Sequence, residues 1–142
     1  MKPFRTINDR GDEIWTLNGL RHRENSPAVI NADGTKIWYQ HGKRHREDGP
    51  AVIEPDGSMY WFSNDVQHRI DGPAVIHPDG TEYWVIHGML HREDGPAVVR
   101  TNGIHEWWLN DEIITHKSIF QSVSGCSDET LTMLVLKYGS IK

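Results

Sequence analysis

The stretch HREDGPAVIEPDG at residues 45–57 occurs four times, in slightly altered spelling, within a chain of 142 residues. The other copies are HRENSPAVINADG at 22–34, HRIDGPAVIHPDG at 68–80 and HREDGPAVVRTNG at 91–103. Outward from each copy the same frame continues, so that Trp15, Trp38, Trp61, Trp84 and Trp107 recur every 23 residues. A fifth unit starts at Trp107 and then departs, with Ile114 and Thr115 where His and Arg would fall. Fixed-period self-similarity marks a repeat architecture, in which a unit too small to bury its own apolar face stacks on its neighbours.

Turn signals divide each unit into short strands. Asp-Gly at 33–34, 56–57 and 79–80 and Asn-Gly at 102–103 accept the positive φ of tight hairpins. Pro-Ala-Val-Ile precedes each pair (Val at 99 in the last copy), and an aromatic run such as Met59-Tyr60-Trp61-Phe62 follows; both are β-prone and should pair as a hairpin. A second reversal is expected at Asn18-Gly19, His41-Gly42 and His87-Gly88, with Asn64-Asp65 as the exception that lacks the glycine. Pro27, Pro50, Pro73 and Pro96 have no N–H for a ladder and so open their strands. Two main strands per unit, spaced about 4.8 Å apart, advance each unit by roughly 10 Å.

The fold class expected is mainly β: an elongated antiparallel β-meander of tandem 23-residue hairpin repeats with a C-terminal helical cap. The expected division is an N-terminal cap at 1–13, repeats at 14–111 and the helical cap at 112–142. Ser127 before Asp128 and Glu129 suits a helix start, Leu131, Leu134 and Tyr138 share one face, and Gly139 suits the stop. The spacing predicts a helix at 127–138 and a shorter one at 117–123. Along a strand Trp38 shares a face with Lys36 and Gln40, while Ile37 and Tyr39 face the other way, so both faces carry apolar surface. The tryptophan file reads as shared core, with a stacking platform for bases or sugars as the alternative.

Composition narrows the function. The net charge of −5 argues against general nucleic-acid binding and against a polybasic membrane anchor. Cys126 is the sole cysteine, which excludes an intrachain disulfide and a cysteine-based zinc site. The N-terminal residues hold no apolar run suited to a signal peptide, and no stretch approaches the roughly 18 apolar residues of a membrane span. A cytoplasmic location is expected, the host cytoplasm if the source is viral.

His22, His45, His68 and His91 occupy one position in four copies. At about 10 Å per unit they cannot share one zinc ion, whose nitrogen ligands lie near 2 Å, so they are expected to brace the neighbouring turn and no metal is expected. His41, His77, His87, His105 and His116 are scattered and expected to be exposed. Arg23, Arg46, Arg69 and Arg92 form a second row, reinforced by Arg21 and Arg44, that could grip phosphates or a carboxylate-rich partner. Glu24, Glu47 and Glu93, with Asp48, Asp71 and Asp94, stand ready to neutralise it. No nucleophile elbow, phosphate loop or zinc-protease motif is present, and catalysis needs one asymmetric constellation rather than four similar ones. An enzyme is not expected, and neither is a cofactor. The repeats disagree at Asn25-Ser26, Asp65, Ile70, Arg100-Thr101 and after Trp107, which marks those places as individual surfaces.

The order aromatic, Asn-Gly, two residues, His, turn, strand, Asp-Gly over residues 14–111 resembles MORN repeats, especially their divergent second class. The spelling with Trp at the start and His-Arg-Glu-Asp-Gly-Pro-Ala is similar to proteins of bacteriophages, other large DNA viruses and bacteria. MORN units usually place glycine after the histidine and tyrosine near the start; here arginine and tryptophan stand there. The resemblance implies scaffolding, protein binding and, in places, lipid association, with some bacterial members resembling antitoxins. The function expected is a non-enzymatic scaffold binding another protein through a rigid β-surface or its capped end. Arg23, Arg46, Arg69, Arg92, Tyr39, Phe62 and Trp108 are the candidate contacts, within the variable row Thr16/Tyr39/Phe62/Val85/Trp108. The alternatives are a counter-defence or immunity factor that inhibits an enzyme or sequesters an anionic small ligand, and a structural assembly component. Self-association through the C-terminal helix is a further expectation.

Overall fold

The computed structural model describes residues 1–115. Each unit is built on a hairpin of two very short strands, Val29–Ile30 with Lys36–Ile37, Val52–Ile53 with Met59–Tyr60, Val75–Ile76 with Glu82–Tyr83, and Val98–Val99 with His105–Glu106. Successive hairpins pair edge to edge with constant register, Ile37 opposite Val52, Tyr60 opposite Val75 and Tyr83 opposite Val98. Among the described residues the result is one antiparallel 11-stranded sheet, ten strands of which lie in chain order while Leu20–Arg21 pairs to the side with Glu13–Leu17. Every unit contributes the same letters at the same height, so the 23-residue period in sequence becomes rows in space.

The loop of each hairpin repeats one geometry. In the second unit the Glu54 amide donates to the Ser58 carbonyl at 2.9 Å, the Gly57 amide donates to the Glu54 carbonyl at 3.0 Å, and Gly57 takes φ +93°. That conformation is open to glycine at little steric cost, which is why Asp-Gly or Asn-Gly closes all four copies. The aspartate closes the loop from its side: Asp56 Oδ1 accepts the Ser58 amide at 2.7 Å, as Asp33 and Asp79 accept those of Thr35 and Thr81.

Residues 1–13 are a further hairpin of the same kind. Phe4–Ile7 pairs with Glu13–Leu17, the Asn8 amide donates to the Asp12 carbonyl, the Gly11 amide donates to the Asn8 carbonyl, and Gly11 has φ +86°. Arg10-Gly11 replaces Asp-Gly there, which hides the repeat from a search for that pair.

In the first unit the ribbon of residues 16–17 with Leu20–Arg21 continues the strand that holds Trp15, whereas at Trp38, Trp61, Trp84 and Trp107 the chain leaves the sheet and forms a separate second ribbon, Tyr39–Gln40 with Lys43–Arg44, Phe62–Ser63 with Val66–Gln67, Val85–Ile86 with Met89–Leu90, and Trp108–Leu109 with Glu112–Ile113. The ribbon turns hold His41, Asn64, His87 and Asn110 at φ near +50°. Gly42 and Gly88 follow two of these, whereas Asp65 and Asp111 stand in their place with φ of +68° and +62°. An aspartate there is less comfortable than glycine, and its carboxylate offsets the strain by accepting a backbone N–H of the preceding unit. Asp65 Oδ1 accepts the Arg44 amide at 3.0 Å and its guanidinium at 2.8 Å, and Asp111 Oδ1 accepts the Leu90 amide at 2.6 Å.

The core is a line rather than a ball. Ala28, Ala51, Ala74 and Ala97 are fully buried, and Val29, Val75, Val85, Val98, Leu109 and Ile114 are nearly so. One step along each ladder from the paired strands, the Trp38, Trp61 and Trp84 amides donate to the Ala51, Ala74 and Ala97 carbonyls at 2.7–2.8 Å. Tryptophan and alanine therefore alternate across the sheet, small beside large, which lets the indoles sit in one file without collision. The indoles themselves are half-buried, and both faces of the sheet contribute buried residues.

The expected fold class needs one correction. The described residues are a β-meander with no helix, and the segment expected to begin the cap opens as strand, because Glu112–Ile113 completes the ribbon of the unit that starts at Trp107 and the Ile114 amide donates to the Trp107 carbonyl as His91 does to Trp84. Backbone pairing carries the repeat past the point where its side-chain letters fail. The helices expected at 127–138 and 117–123 lie outside the described residues, and among the described residues no helical cap is present. Among the described residues no helix is long and apolar enough to cross a membrane.

Candidate functional site

The arginine row lies on the tryptophan row. Each guanidinium stacks over the indole that opens its own unit, Arg23 on Trp15, Arg46 on Trp38, Arg69 on Trp61 and Arg92 on Trp84, with Cζ 3.7–4.2 Å from the ring centre. Nη1 donates to the carbonyl of the proline four residues on, Pro27, Pro50, Pro73 or Pro96, at 3.1–3.3 Å. In three units Nε also donates to the aspartate two residues on, Asp48, Asp71 and Asp94, at 2.8–3.0 Å. A planar fork matches this set of partners, and a lysine point charge could not meet the ring, the carbonyl and the carboxylate together. The guanidinium holds the Asp48 and Asp71 carboxyls below the usual carboxylate range, through hydrogen bond and charge.

This stacking explains the glycine of His-Arg-Glu-Asp-Gly. A Cβ on Gly72 would lie 2.7 Å from Arg69 Cζ, and those on Gly49 and Gly95 would lie 3.0 and 2.8 Å from Arg46 and Arg92. The backbone there is ordinary, so the requirement is for space alone. Gly72→Ala is expected to push Arg69 off its carbonyl and carboxylate and to lower stability by about 1 kcal/mol, the scale of a solvent-exposed ion pair lost together with a weakened cation–π contact. Urea denaturation checks the loss, and a shifted Arg69 Nε–H resonance checks its cause.

The histidine row braces the next unit. Nδ1 of His22, His45, His68 and His91 accepts the amide of His41, Asn64, His87 and Asn110, at 3.0–3.3 Å, each at the left-handed position of the following ribbon turn. Nδ1 must be unprotonated to accept. His41 and His87 also lay their rings against His22 and His68, 4.5 Å between centres. Burial, and secondarily the charge of His87, push the His68 pKa down. A depressed histidine binds fewer protons folded than unfolded, so its stabilisation is full above the unfolded value near 6.5 and is lost as pH falls below it. The urea midpoint is expected to fall between pH 7.5 and 5.5, and the fall should be smaller in His68→Asn. The carboxyls of Asp33, Asp56 and Asp79 are held low mainly by the amide each accepts, so they add a second loss below about pH 3.8.

The contact candidates are less available than expected. Tyr39 accepts a hydrogen bond from Arg21 and lies under its guanidinium, Phe62 lies under Arg44, and Trp108 Nε1 donates to Glu106; all three are half-buried, and Val85 in the same row is buried. His41, His87 and His105 are exposed, His77 is half-buried with Nδ1 3.1 Å from Ser58 Oγ, and His116 lies outside the described residues. Among the described residues no three His, Cys, Asp or Glu side chains gather where a metal could sit. Among the described residues the exposed large apolar side chains are instead Met1, Phe4, Ile7, Leu20, Val66, Ile70, Ile104 and Ile113. Of these only Ile70 was legible beforehand, as the residue that breaks a Glu24/Glu47/Glu93 column. No protein-family model matches the chain, and no curated protein matches it either.

Proposed function

We propose that this chain is a MORN-like, non-enzymatic scaffold that binds another protein through one face of its rigid hairpin array. The observation that supports it most is Ile70, 78% exposed in the turn where the other units carry glutamate. Val66, also exposed, lies four residues earlier in the same unit, and Ile70 itself lines a groove of mixed polarity together with Phe62, His68 and Arg69. The repeated polar groups are occupied with one another, so what distinguishes one unit from the next, and hence what a partner can read, is carried by such departures. Pre-ordered turns reduce the entropy lost on binding.

Ile70→Glu restores the residue of the neighbouring units and should leave the fold unchanged. Capture from the native host with the wild type and with this variant, followed by titration of the captured protein, tests the reading. A partner lost in Ile70→Glu supports it; the same partners at the same affinity, or none for either protein, overturns it. The alternative of an anionic-ligand trap is weakened at Arg46, Arg69 and Arg92, each of which holds a carboxylate of its own chain.

A further inference from the structure

Arg23 differs from its three equivalents in one respect. Its guanidinium stacks on Trp15 at 3.9 Å and donates to the Pro27 carbonyl at 3.2 Å, as in the other units. The carboxylate that elsewhere meets Nε is missing, because Asn25 stands where Asp48, Asp71 and Asp94 stand. Asn25 is not a substitute. It takes φ +57°, unlike its equivalents, and makes no hydrogen bond to Arg23. The neighbouring change accounts for this: Ser26 replaces the glycine whose Cβ would strike the guanidinium, so the turn is rebuilt with its asparagine left-handed. Glu24, adjacent in sequence, is exposed, and in the other units the ion pair is made by the aspartate two residues on rather than by the residue at this position.

Three copies of the same constellation thus show what the fourth lacks. We infer that Arg23 is a receptor for an external carboxylate, supplied by an aspartate or glutamate side chain of an acidic peptide segment in the protein partner. This deepens the scaffold reading by naming the chemistry of a contact at the first unit. The groove beside Arg23 suits a peptide rather than a bare ion, since Pro3, Trp15 and Leu17 line it together with Lys2, His22 and the Glu24 carboxylate, which would disfavour a small free anion more than a peptide that also buries apolar side chains. Charge favours this end. Residues 1–50 hold nine Lys and Arg against seven Asp and Glu, whereas residues 51–115 hold three against eleven, so an acidic segment is drawn to the first unit and repelled from the later ones. A bidentate-capable arginine held flat by an indole loses little freedom when a carboxylate docks.

The probe is the tripeptide acetyl-Leu-Glu-Leu-amide, titrated at low salt into the full chain while the arginine Nε–H resonances are followed. Arg23 should shift along a saturating curve while Arg46, Arg69 and Arg92 stay in place, and the glutamine version of the tripeptide should bind at least about tenfold more weakly. The double variant Asn25→Asp/Ser26→Gly restores the sequence of the other units, supplies the carboxylate from within, keeps the protein folded and should abolish the shift. Equal shifts at all four arginines, no shift at Arg23, equal binding of the glutamine tripeptide, or binding retained in the double variant would each overturn the assignment. Inorganic phosphate, run in parallel, should bind more weakly than the tripeptide; tighter phosphate binding would replace the peptide carboxylate with a free anion. Failure here leaves the Ile70 test untouched, because that surface lies two units away.

Discussion

Trp61→Ala is expected to destabilise the protein by about 3 kcal/mol, the lower end of the range for tryptophan truncation because the indole is half-buried rather than enclosed. Three things are lost together. The ring fills the space between the fully buried Ala51 and Ala74, it carries the Arg69 guanidinium on its face at 4.1 Å, and through Arg69 it orders the Asp71–Pro73 turn. The backbone bonds of residue 61 to Ala74 and His68 remain available, so the damage should concentrate in the second and third units. Urea denaturation gives the total, and amide exchange should show lost protection around 51, 69 and 74 but not around Trp15. Trp61→Phe should recover roughly half, since it retains a ring for the cation. A loss below about 1 kcal/mol would instead make the tryptophan file a surface platform, the alternative left open by its spacing.

Ala74→Leu should cost about 3 kcal/mol by the opposite route. Tyr60 and Tyr83 flank Val75 in the ladder, which places Ala74 one step on between Trp61 and Trp84, and its side chain has no exposed surface at all. Both its backbone groups are bonded, N–H to Tyr83 and C=O from Trp61, each at 2.8 Å, so the strand cannot slide to make room. Three added carbons must displace an indole, and overpacking of a closed site ranges to a few kcal/mol. Ile70→Leu, on an exposed turn, should be neutral in the same urea measurement. If Ala74→Leu were equally neutral, the alternation of large and small residues would not be what spaces the hairpins.

The two arginine readings separate along the same rows. At Arg46, Arg69 and Arg92 the charge is met from within the unit, and the nearby glycine exists to let the guanidinium lie flat. At Arg23 the flat seat is kept and the carboxylate is gone. The first unit is thereby structurally related to the others but chemically open.

The sequence by itself determined the meander. A 23-residue period, Asp-Gly or Asn-Gly at a fixed offset, and an alternating Val-Ile strand before each turn leave little choice, because hairpin geometry is local and each unit states it again. Even the turn lacking glycine at Asn64-Asp65 was visible as an exception, although that its carboxylate would reach Arg44 of the preceding unit was not. Only the tertiary structure decided what the repeated polar letters do. Whether a histidine binds a ligand or caps the next turn depends on a backbone amide 19 residues away brought in by inter-unit pairing, and whether an arginine faces solvent or an indole depends on how the chain folds back over the tryptophan 8 residues earlier in its own unit. The histidine contacts are set by the spacing between hairpins, a distance that no single unit's letters contain. The same reason hid the hairpin at 1–13, whose turn lacks Asp-Gly but whose backbone is held in register by the strand beside it.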